Sequence, residues 1–562
     1  MKLNVEVMSK DIIKPSVPTS DQFRRYRLSF LDQISPPVYN PLILFYRLNI
    51  TEGNIKTDDK IKIIDHLKQS LSDVLTDFYP LAGRIKDNMF VNCNDEGVPF
   101  WETRVQCKTS DVLDNPVPDE LNKLLLFVLD DADEVPFGVQ FNVFGCGGFA
   151  IGVCISHKIA DALSFFTFLK TWAAVCRGDP RSSIAFPEFV SAELFPPKTT
   201  LGFEPRSGIS TDKIVTKRFV FTALKIQEIK ANIGDTTYPS RIAALSAFIW
   251  TRFIATTQAD ATHEGEDNRF HAIVHAVNLR KRFNPPLPDH SFGNLYRIAM
   301  TIPTKNSQQD CRNLVNQIGE SIRKIDAENI KRLRHGSDRY LEFMKEGTKS
   351  FMKGEMITFN VTSLCNFPIY EVDFGWGKPV WVGSAGLTFK NLVVFMDPIN
   401  GDGIEAWISL KEEEMGTFEN DEIMRGFVCN QTTWLSLVVA VVALLFGVLL
   451  WNRLNSLIRS PSQCLPPQRS YTIDHSDPLS TGAPQGIPLI ALGSLSPSSN
   501  NNKKKSRVKW GAYEGFGAGV LAPLGHQLRV AGAGKLHDTR NDDATNGGKR
   551  LEEQFRIPCP PH

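Results

Sequence analysis

Apolar residues recur at two different spacings in the N-terminal part of the chain. Between Ile61 and Phe78 they follow the spacing of an amphipathic helix, and the pattern ends just before Pro80. The runs Phe137–Phe144 and Phe149–Ser156 are rich in Phe, Val and Ile, and a loop with three glycines separates them, which predicts a β-hairpin. Residues Ala162–Cys176 are apolar on most sides, as expected of a buried helix. Because helical and strand patterns alternate along the chain, the predicted fold class is α/β.

A polar segment divides the first 428 residues into two parts of similar size. Residues 197–216 are rich in Pro, Thr, Ser and Gly, and they carry no convincing helix or strand pattern. We interpret this segment as a linker between an N-terminal domain, residues 1–196, and a C-terminal domain, residues 217–428.

The composition changes beyond residue 428. Residues 434–451 contain no charged side chain and carry Trp at both ends, which is typical of a transmembrane helix; a buried core helix is the alternative. Residues 452–562 contain stretches rich in Pro, Ser, Asn and Gly that cannot bury a core, so we expect a disordered tail.

Charge and cysteine content narrow the functional classes. Lys+Arg 63 against Asp+Glu 62 gives a formal net charge of +1, which argues against nucleic acid as a partner. The ten cysteines include no C-x-x-C pair, and we predict no metal site. The N-terminus is too polar for a signal peptide, so we expect a cytoplasmic protein with free thiols; a single-pass membrane protein through residues 434–451 is the alternative.

His157 and Asp161 form an H-x-x-x-D motif at the end of a predicted strand. The bare motif is weak, and His263 with Asp267 matches it too, but that pair lies in a charged segment. His157 instead follows the apolar strand that ends at Ser156 and precedes an apolar helix, which favours a side chain that projects into a cleft. The alternatives are a core histidine with one hydrogen bond and, for Asp161, a helix N-cap.

A second motif, Asp373-Phe374-Gly375-Trp376-Gly377, lies roughly 200 residues later, and with it the chain resembles the BAHD acyl-CoA-dependent acyltransferases of plants. Shorter matches occur in family order: LSFLDQ near Asp32, FYPLAGR at 78–84, VNLRKRFNPPLP from Val277, and FGN ending at Asn294. The DFG triplet alone would suggest a protein kinase, but the sequence lacks the H-R-D loop and the glycine-rich phosphate loop of kinases. The resemblance implies two chloramphenicol-acetyltransferase-like domains with an active-site channel between them.

The resemblance also implies roles for individual residues. His157 would be the general base, and an unperturbed histidine, with a pKa near 6.5, suits proton transfer at neutral pH. Asp161 would pair with Arg280 and point away from the substrate. The second motif would shape a loop distant from the chemistry through Asp373, Gly375, Trp376 and Gly377.

One segment departs from the family pattern. The family often reads T-S-W-C-R before the second motif, with the Thr and Trp near the developing oxyanion, whereas this chain has Thr362-Ser363-Leu364-Cys365-Asn366. Because a leucine side chain cannot donate a hydrogen bond, oxyanion stabilisation would rest on Thr362.

These observations predict an O-acetyltransferase that moves an acetyl group from acetyl-CoA to an alkaloid or terpenoid alcohol. Acetyl-CoA would be a co-substrate, with no permanently bound cofactor, and we expect a monomer. The alternatives are an N-acyltransferase, a user of another acyl-CoA, or a membrane-tethered pseudoenzyme.

The apolar segment fits this activity poorly. Basic residues lie on its C-terminal side and would place that side in the cytosol, whereas the supply of acetyl-CoA places the enzyme part there. We therefore expect residues 429–562 to be dispensable and to arise from intron read-through or a gene-model fusion; a membrane-anchored isoform is the alternative.

Overall fold

The computed structural model describes residues 1–47, 57–132, 134–199, 213–237, 240–259, 269–303 and 310–428. The apolar segment 434–451, the tail 452–562, the pair His263 and Asp267, and most of the predicted linker lie outside these residues. None of the helices in the described ranges is both long and apolar enough to cross a membrane.

The described residues form strands and helices in alternation. The strands are β1 (Val5–Ile13), β2 (Arg25–Arg27), β3 (Tyr39–Tyr46), β4 (Arg84–Lys86), β5 (Phe90–Asn92), β6 (Val98–Val105), β7 (Phe137–Phe144), β8 (Phe149–Ser156), β9 (Ile214–Phe221), β10 (Phe270–Asn278), β11 (Tyr296–Thr301), β12 (Met356–Ser363), β13 (Trp381–Gly383), β14 (Leu392–Met396) and β15 (Ile404–Lys411). The helices are α1 (Phe30–Ile34), α2 (Thr57–Leu75), α3 (Thr109–Leu113), α4 (Pro118–Leu121), α5 (Ala162–Arg177), α6 (Ser191–Leu194), α7 (Ala223–Ile233), α8 (Arg241–Ala259), α9 (Cys311–Arg323), α10 (Ala327–His335), α11 (Ser337–Met352), α12 (Glu412–Asn420) and α13 (Glu422–Phe427). The predicted α/β class is confirmed.

Two large sheets dominate the described part of the fold. The first sheet has the strand order β1-β6-β7-β8-β3-β13, the second has the order β11-β10-β12-β14-β15-β9, and a small sheet has the order β2-β5-β4. Strand β13 comes late in the chain yet completes the first sheet, where Trp381 lies opposite Phe45 and Gly383 opposite Ile43. The first sheet therefore contains residues from both predicted domains.

The predicted hairpin and the helix that follows it are confirmed. Strands β7 and β8 have the predicted bounds, and they pair antiparallel with Phe137 opposite Ile155. Helix α5 runs one residue past its predicted end and stops at Gly178, whose φ of 77° is the left-handed conformation that glycine adopts readily.

The end of α2 and the start of β9 differ from the sequence pattern. Helix α2 ends at Leu75 rather than Phe78, because hydrogen bonds from Thr76 N to Asp73 O and from Asp77 N to Val74 O tighten its last turn. Strand β9 begins at Ile214, within the last residues of the predicted linker, and Ile214 pairs with Lys411 of β15. The partner strand lies far along the chain, so no local pattern could reveal this pairing.

Three hydrophobic cores hold these layers together in the described residues. The first core packs α2 and α5 on the first sheet, and the second core packs α8 and α9 on the second sheet. The third core joins Phe30 and Leu31 of α1 to Val277, Leu279 and Leu295, and so brings the N-terminal part against the end of β10. This junction lies beside the end of β8, where His157 follows.

Candidate active site

His157 lies directly after β8, and its main-chain N–H donates to the carbonyl of Val38 at 2.8 Å. The ring Nδ1 lies 3.2 Å from the carbonyl oxygen of Ala160. Because a carbonyl can only accept, Nδ1 carries the proton in the neutral ring and Nε2 keeps its lone pair. The ring of Tyr296 stacks on the imidazole with the ring centroids 5.5 Å apart. Burial lowers the pKa of His157 below 6.5 and outweighs the opposing effect of Asp161, so the ring is neutral at physiological pH.

Asp161 has both of the roles that the sequence left open. It is the N-cap of α5, because its Oδ1 accepts from the main-chain N of Ser164 at 2.9 Å. It also forms a two-pronged ion pair with Arg280, from Nη1 to Oδ2 at 2.8 Å and from Nη2 to Oδ1 at 3.1 Å. Burial alone would raise the pKa of Asp161, but Arg280 and the hydrogen bonds outweigh it and the pKa lies below its usual range. Both oxygens of the Asp161 carboxylate therefore accept hydrogen bonds within the protein.

Arg280 is fully buried at 0% exposure, and two of its other hydrogen bonds go to main-chain oxygens of the segment 291–293. Its Nε donates to Ser291 O at 3.0 Å, and its Nη2 donates to Gly293 O at 3.2 Å and to the hydroxyl of Ser164 at 2.9 Å. The Asp161–Arg280 pair therefore fixes the start of α5 against this segment.

Sequence reasoning assigned no role to Asn294, which follows this segment directly and contacts His157. The side chain of Asn294 donates to the main-chain oxygen of His157 at 2.7 Å and to Asp32 Oδ1 at 2.8 Å. Asp32 also belongs to the capping box of α1 together with Ser29. The sequence carries a signal for both residues, because LSFLDQ and FGN match the family pattern, but no local pattern indicates that these two stretches meet.

The Thr362–Asn366 segment lies at the end of β12. Thr362 is half-buried and lies opposite Val394 in the pairing with β14. Leu364 donates from its main-chain N to Phe395 O at 2.8 Å, and its side chain packs against the first core. The Leu364 side chain thus contributes apolar packing. Of these two side chains, only that of Thr362 can donate a hydrogen bond.

The second motif forms a closed loop. Asp373 Oδ1 accepts from Gly375 N at 2.8 Å and from Gly377 N at 2.9 Å, and the φ angles of these glycines are 110° and 105°. Trp376 packs on the ring of Phe149, the first residue of β8, with the ring centroids 5.7 Å apart. Since a strand rises about 3.3 Å per residue, the length of β8 separates this contact from His157 by roughly 25 Å.

Comparisons with known proteins agree on one family. The profile of the Transferase family matches residues 3–424. Stemmadenine O-acetyltransferase of Catharanthus roseus is 39% identical over 75% of this chain and 97% of its own length. Vinorine synthase of Rauvolfia serpentina is 38% identical over 74% of this chain and 96% of its own length. A limonoid 21-O-acetyltransferase of Melia azedarach is 36% identical over 77% of this chain and 100% of its own length.

Solved structures show the same fold. The crystal structure of vinorine synthase superposes with a TM-score of 0.63 at 35% identity, covering 76% of this chain and 98% of that one. TRI101 of F. graminearum, complexed with coenzyme A and deoxynivalenol, superposes with a TM-score of 0.55 at 16% identity, covering 72% of this chain and 99% of that one, which is a likeness of fold alone. The chain is therefore a member of the Transferase family, the BAHD acyltransferases whose two motifs it carries around His157 and Asp373.

Proposed function

We propose that this protein transfers an acetyl group from acetyl-CoA to a hydroxyl group of an alkaloid or terpenoid, with His157 as the general base. The observation that carries the proposal is the contact between His157 Nδ1 and Ala160 O at 3.2 Å, which leaves Nε2 free to accept a proton. Similar proteins named as O-acetyltransferases of stemmadenine and of limonoids support the substrate class. Acetyl-CoA acts as a co-substrate, and the reaction needs no permanently bound cofactor.

The chemistry follows from the protonation state of the imidazole. His157 Nε2 takes the hydroxyl proton of the acceptor as the acceptor oxygen attacks the thioester carbonyl. The tetrahedral oxyanion then collapses, the C–S bond breaks, and the CoA thiolate takes the proton from the imidazolium. The products are the acetyl ester and free CoA thiol, and His157 returns to its neutral form without an acyl-enzyme.

The surrounding residues have supporting roles in this proposal. The ion pair of Asp161 with Arg280 holds the start of α5, and so the loop that carries His157. Thr362 supplies the hydrogen bond to the oxyanion. The loop formed by Asp373, Gly375, Trp376 and Gly377 acts on stability, because it packs at the opposite end of β8.

The proposal includes an arrangement of domains. Residues 1–196 and 217–428 form two chloramphenicol-acetyltransferase-like domains, and acetyl-CoA and the acceptor reach His157 through a channel between them. We further propose that the protein acts as a monomer in the cytosol, where acetyl-CoA is available, with membrane attachment through residues 434–451 as the alternative.

The test is an acetyl-CoA consumption assay with the full chain. A panel of indole-alkaloid and limonoid alcohols is supplied as acceptors, free CoA thiol is measured, and the ester is identified by mass spectrometry. We expect ester formation with at least one alcohol and its loss in His157→Ala. Acetylation of amines alone would indicate an N-acyltransferase, turnover only with another acyl-CoA would change the donor, and no turnover with any pair would support the pseudoenzyme.

A further inference from the structure

Asn294 joins the main chain of His157 to helix α1. Its Nδ2 donates to His157 O at 2.7 Å and to Asp32 Oδ1 at 2.8 Å, and its main-chain N donates to the same Asp32 oxygen at 2.8 Å. The residue is fully buried at 0% exposure. Because a peptide carbonyl and a carboxylate only accept hydrogen bonds, the amide nitrogen must face them, and this fixes the orientation of the carboxamide.

Asp32 is itself held in place. Its Oδ2 accepts from the main-chain N and the hydroxyl of Ser29, both at 2.7 Å. Burial raises the pKa of Asp32, while the hydrogen bonds from Ser29 and Asn294 oppose that rise. The ammonium of Lys158, the neighbour of His157, donates to Gln33 O at 2.8 Å. The loop that carries His157 is therefore tied to α1 at two adjacent points.

The same segment also acts on the imidazole ring. Tyr296, two residues after Asn294, stacks on the His157 ring with the centroids 5.5 Å apart. The Oδ1 atom of Asn294 is buried and makes no hydrogen bond of good geometry among the described residues. The Asn294 side chain nonetheless interacts with the His157 side chain and opposes the lowering of the His157 pKa by burial.

From these contacts we infer that Asn294 is a positioning residue for the general base: its amide holds the His157 peptide so that Nε2 meets the acceptor hydroxyl. Asn294 acts through His157 in this role and itself neither takes nor gives a proton in the reaction. The inference rests on the proposed function, because it requires His157 to be the base.

The decisive variant is Asn294→Asp. A carboxyl at this position faces both Asp32 and the His157 carbonyl. Two carboxyl groups this close share one proton. That proton can replace either the hydrogen bond to Asp32 or the one to His157 O, but not both. We expect kcat to fall roughly 10²-fold, because a shift of a reacting group by about 1 Å costs a factor of that size. KM for acetyl-CoA should stay unchanged. Asn294→Ser, which leaves room for a water beside Asp32, should show the same split between kcat and KM.

Asn142→Asp is the matched control. Asn142 is also 0% exposed, and its Nδ2 also donates to main-chain oxygens, those of Leu124 at 3.0 Å and Gln140 at 3.1 Å. It lies within β7 and does not contact His157. We expect Asn142→Asp to lower the melting temperature while its folded fraction keeps the kcat of the wild type.

The outcomes separate the inference from the proposed function. All variants are assayed with the best acceptor of the panel, or by acetyl-CoA hydrolysis if none is found, and folding is checked by circular dichroism. If His157→Ala keeps the wild-type rate, the proposed function is wrong. If His157→Ala is inactive but the Asn294 variants keep kcat, or change only KM, the inference alone is wrong. Failure of both Asn294 variants to fold where Asn142→Asp folds would make Asn294 a purely structural residue and would also overturn the inference.

Discussion

At the scale of single residues, the imidazole of His157 is the group on which the proposed chemistry depends. His157→Ala should lower kcat/KM roughly 10²–10⁴-fold, the loss expected for a missing general base, with an unchanged circular dichroism spectrum. A folded variant that keeps more than about a tenth of the activity would not fit a general base.

The pH dependence of the wild type provides a second check on His157. Burial lowers its pKa below 6.5, and only the neutral ring accepts a proton, so kcat/KM should rise with pH and reach half its plateau below pH 6.5. Chemistry must limit the rate, which a solvent isotope effect establishes. A midpoint above 6.5, or a flat profile between pH 4 and 8, would contradict the assignment.

The ion pair of Asp161 and Arg280 can be separated from the N-cap by substitution. Asp161→Ser keeps a capping oxygen for α5 but leaves Arg280 as an unpaired buried charge, so it should destabilise the protein by about 3–5 kcal/mol. Arg280→Ala should cost a similar amount, and the double variant should be no worse than either single one. Denaturant unfolding measures all three, and strictly additive losses would show that the pair contributes no direct coupling.

The contacts of a residue could be predicted from the sequence only where the residue belongs to a motif with a known partner. The resemblance predicts that Asp161 pairs with Arg280, and the two side chains form an ion pair at 2.8 Å in the structure. It did not predict that Asn294 would contact Asp32, because 262 positions separate them and the third core brings them together. Contacts of this kind depend on the whole fold and have no local pattern.

At the scale of elements, the loop of the second motif depends on backbone angles. Gly377 has a φ of 105°, and a Cβ atom added there would meet no other atom within 4 Å. Gly377→Ala should therefore lower the free energy of unfolding by about 1–3 kcal/mol through backbone strain alone. Thermal unfolding measures the loss, and kcat of the folded protein should be unchanged because the loop lies far from His157.

Gly347 provides the matched control for this loop. It also has open space around it but lies inside α11, where alanine is the better helix former, so Gly347→Ala should stabilise the protein by roughly 0.5–1 kcal/mol. Equal effects of the two substitutions would show that backbone strain at Gly377 is not the cause.

A buried histidine in strand β10, His275, should make the free energy of unfolding depend on pH. Burial lowers the pKa of His275 to about 4, so below pH 6.5 the unfolded chain takes up a proton that the folded protein excludes. Stability should therefore fall as the pH drops from 6.5 to 4, by about 3 kcal/mol from this residue, and the loss should level off at lower pH. Denaturant unfolding across this range measures the slope.

Two glutamine variants isolate this effect. His275→Gln removes the titrating ring and should flatten the slope, whereas His290→Gln, at a surface histidine beside Glu188, should leave it unchanged. An unaltered slope in His275→Gln would assign the acid sensitivity to other groups.

Elements were predictable where their pairing is local. The hairpin of β7 and β8 joins neighbouring segments, so its alternation and glycine-rich loop sufficed to define both strands. The start of β9 was missed, and β13 was not predicted at all, because their partners β15 and β3 lie far away in the chain. A three-residue strand such as β13 carries no periodic pattern of its own.

At the scale of the whole molecule, the family match ends at residue 424 and the last described helix, α13, ends at Phe427. A protein truncated after residue 428 should therefore keep the kcat/KM of the full chain. Truncation after residue 411 is the control, because it removes Met415, Phe418 and Met424 from the second core and should abolish folding. Loss of activity in the 1–428 protein, or recovery of native peptides beyond Trp451 by mass spectrometry, would show that the C-terminal residues belong to the working enzyme.

The late position of β13 has a consequence for biosynthesis. On the ribosome, Trp381 emerges roughly 20–70 s after Tyr46 at ordinary elongation rates, and until then the outer edge of β3 has no partner. An unpaired, strongly apolar edge strand is a template for aggregation, so we expect the nascent N-terminal half to be prone to aggregation until its last strand is made. For the same reason the first half is not a self-sufficient module when it is produced alone, because the second half encodes one strand of its sheet.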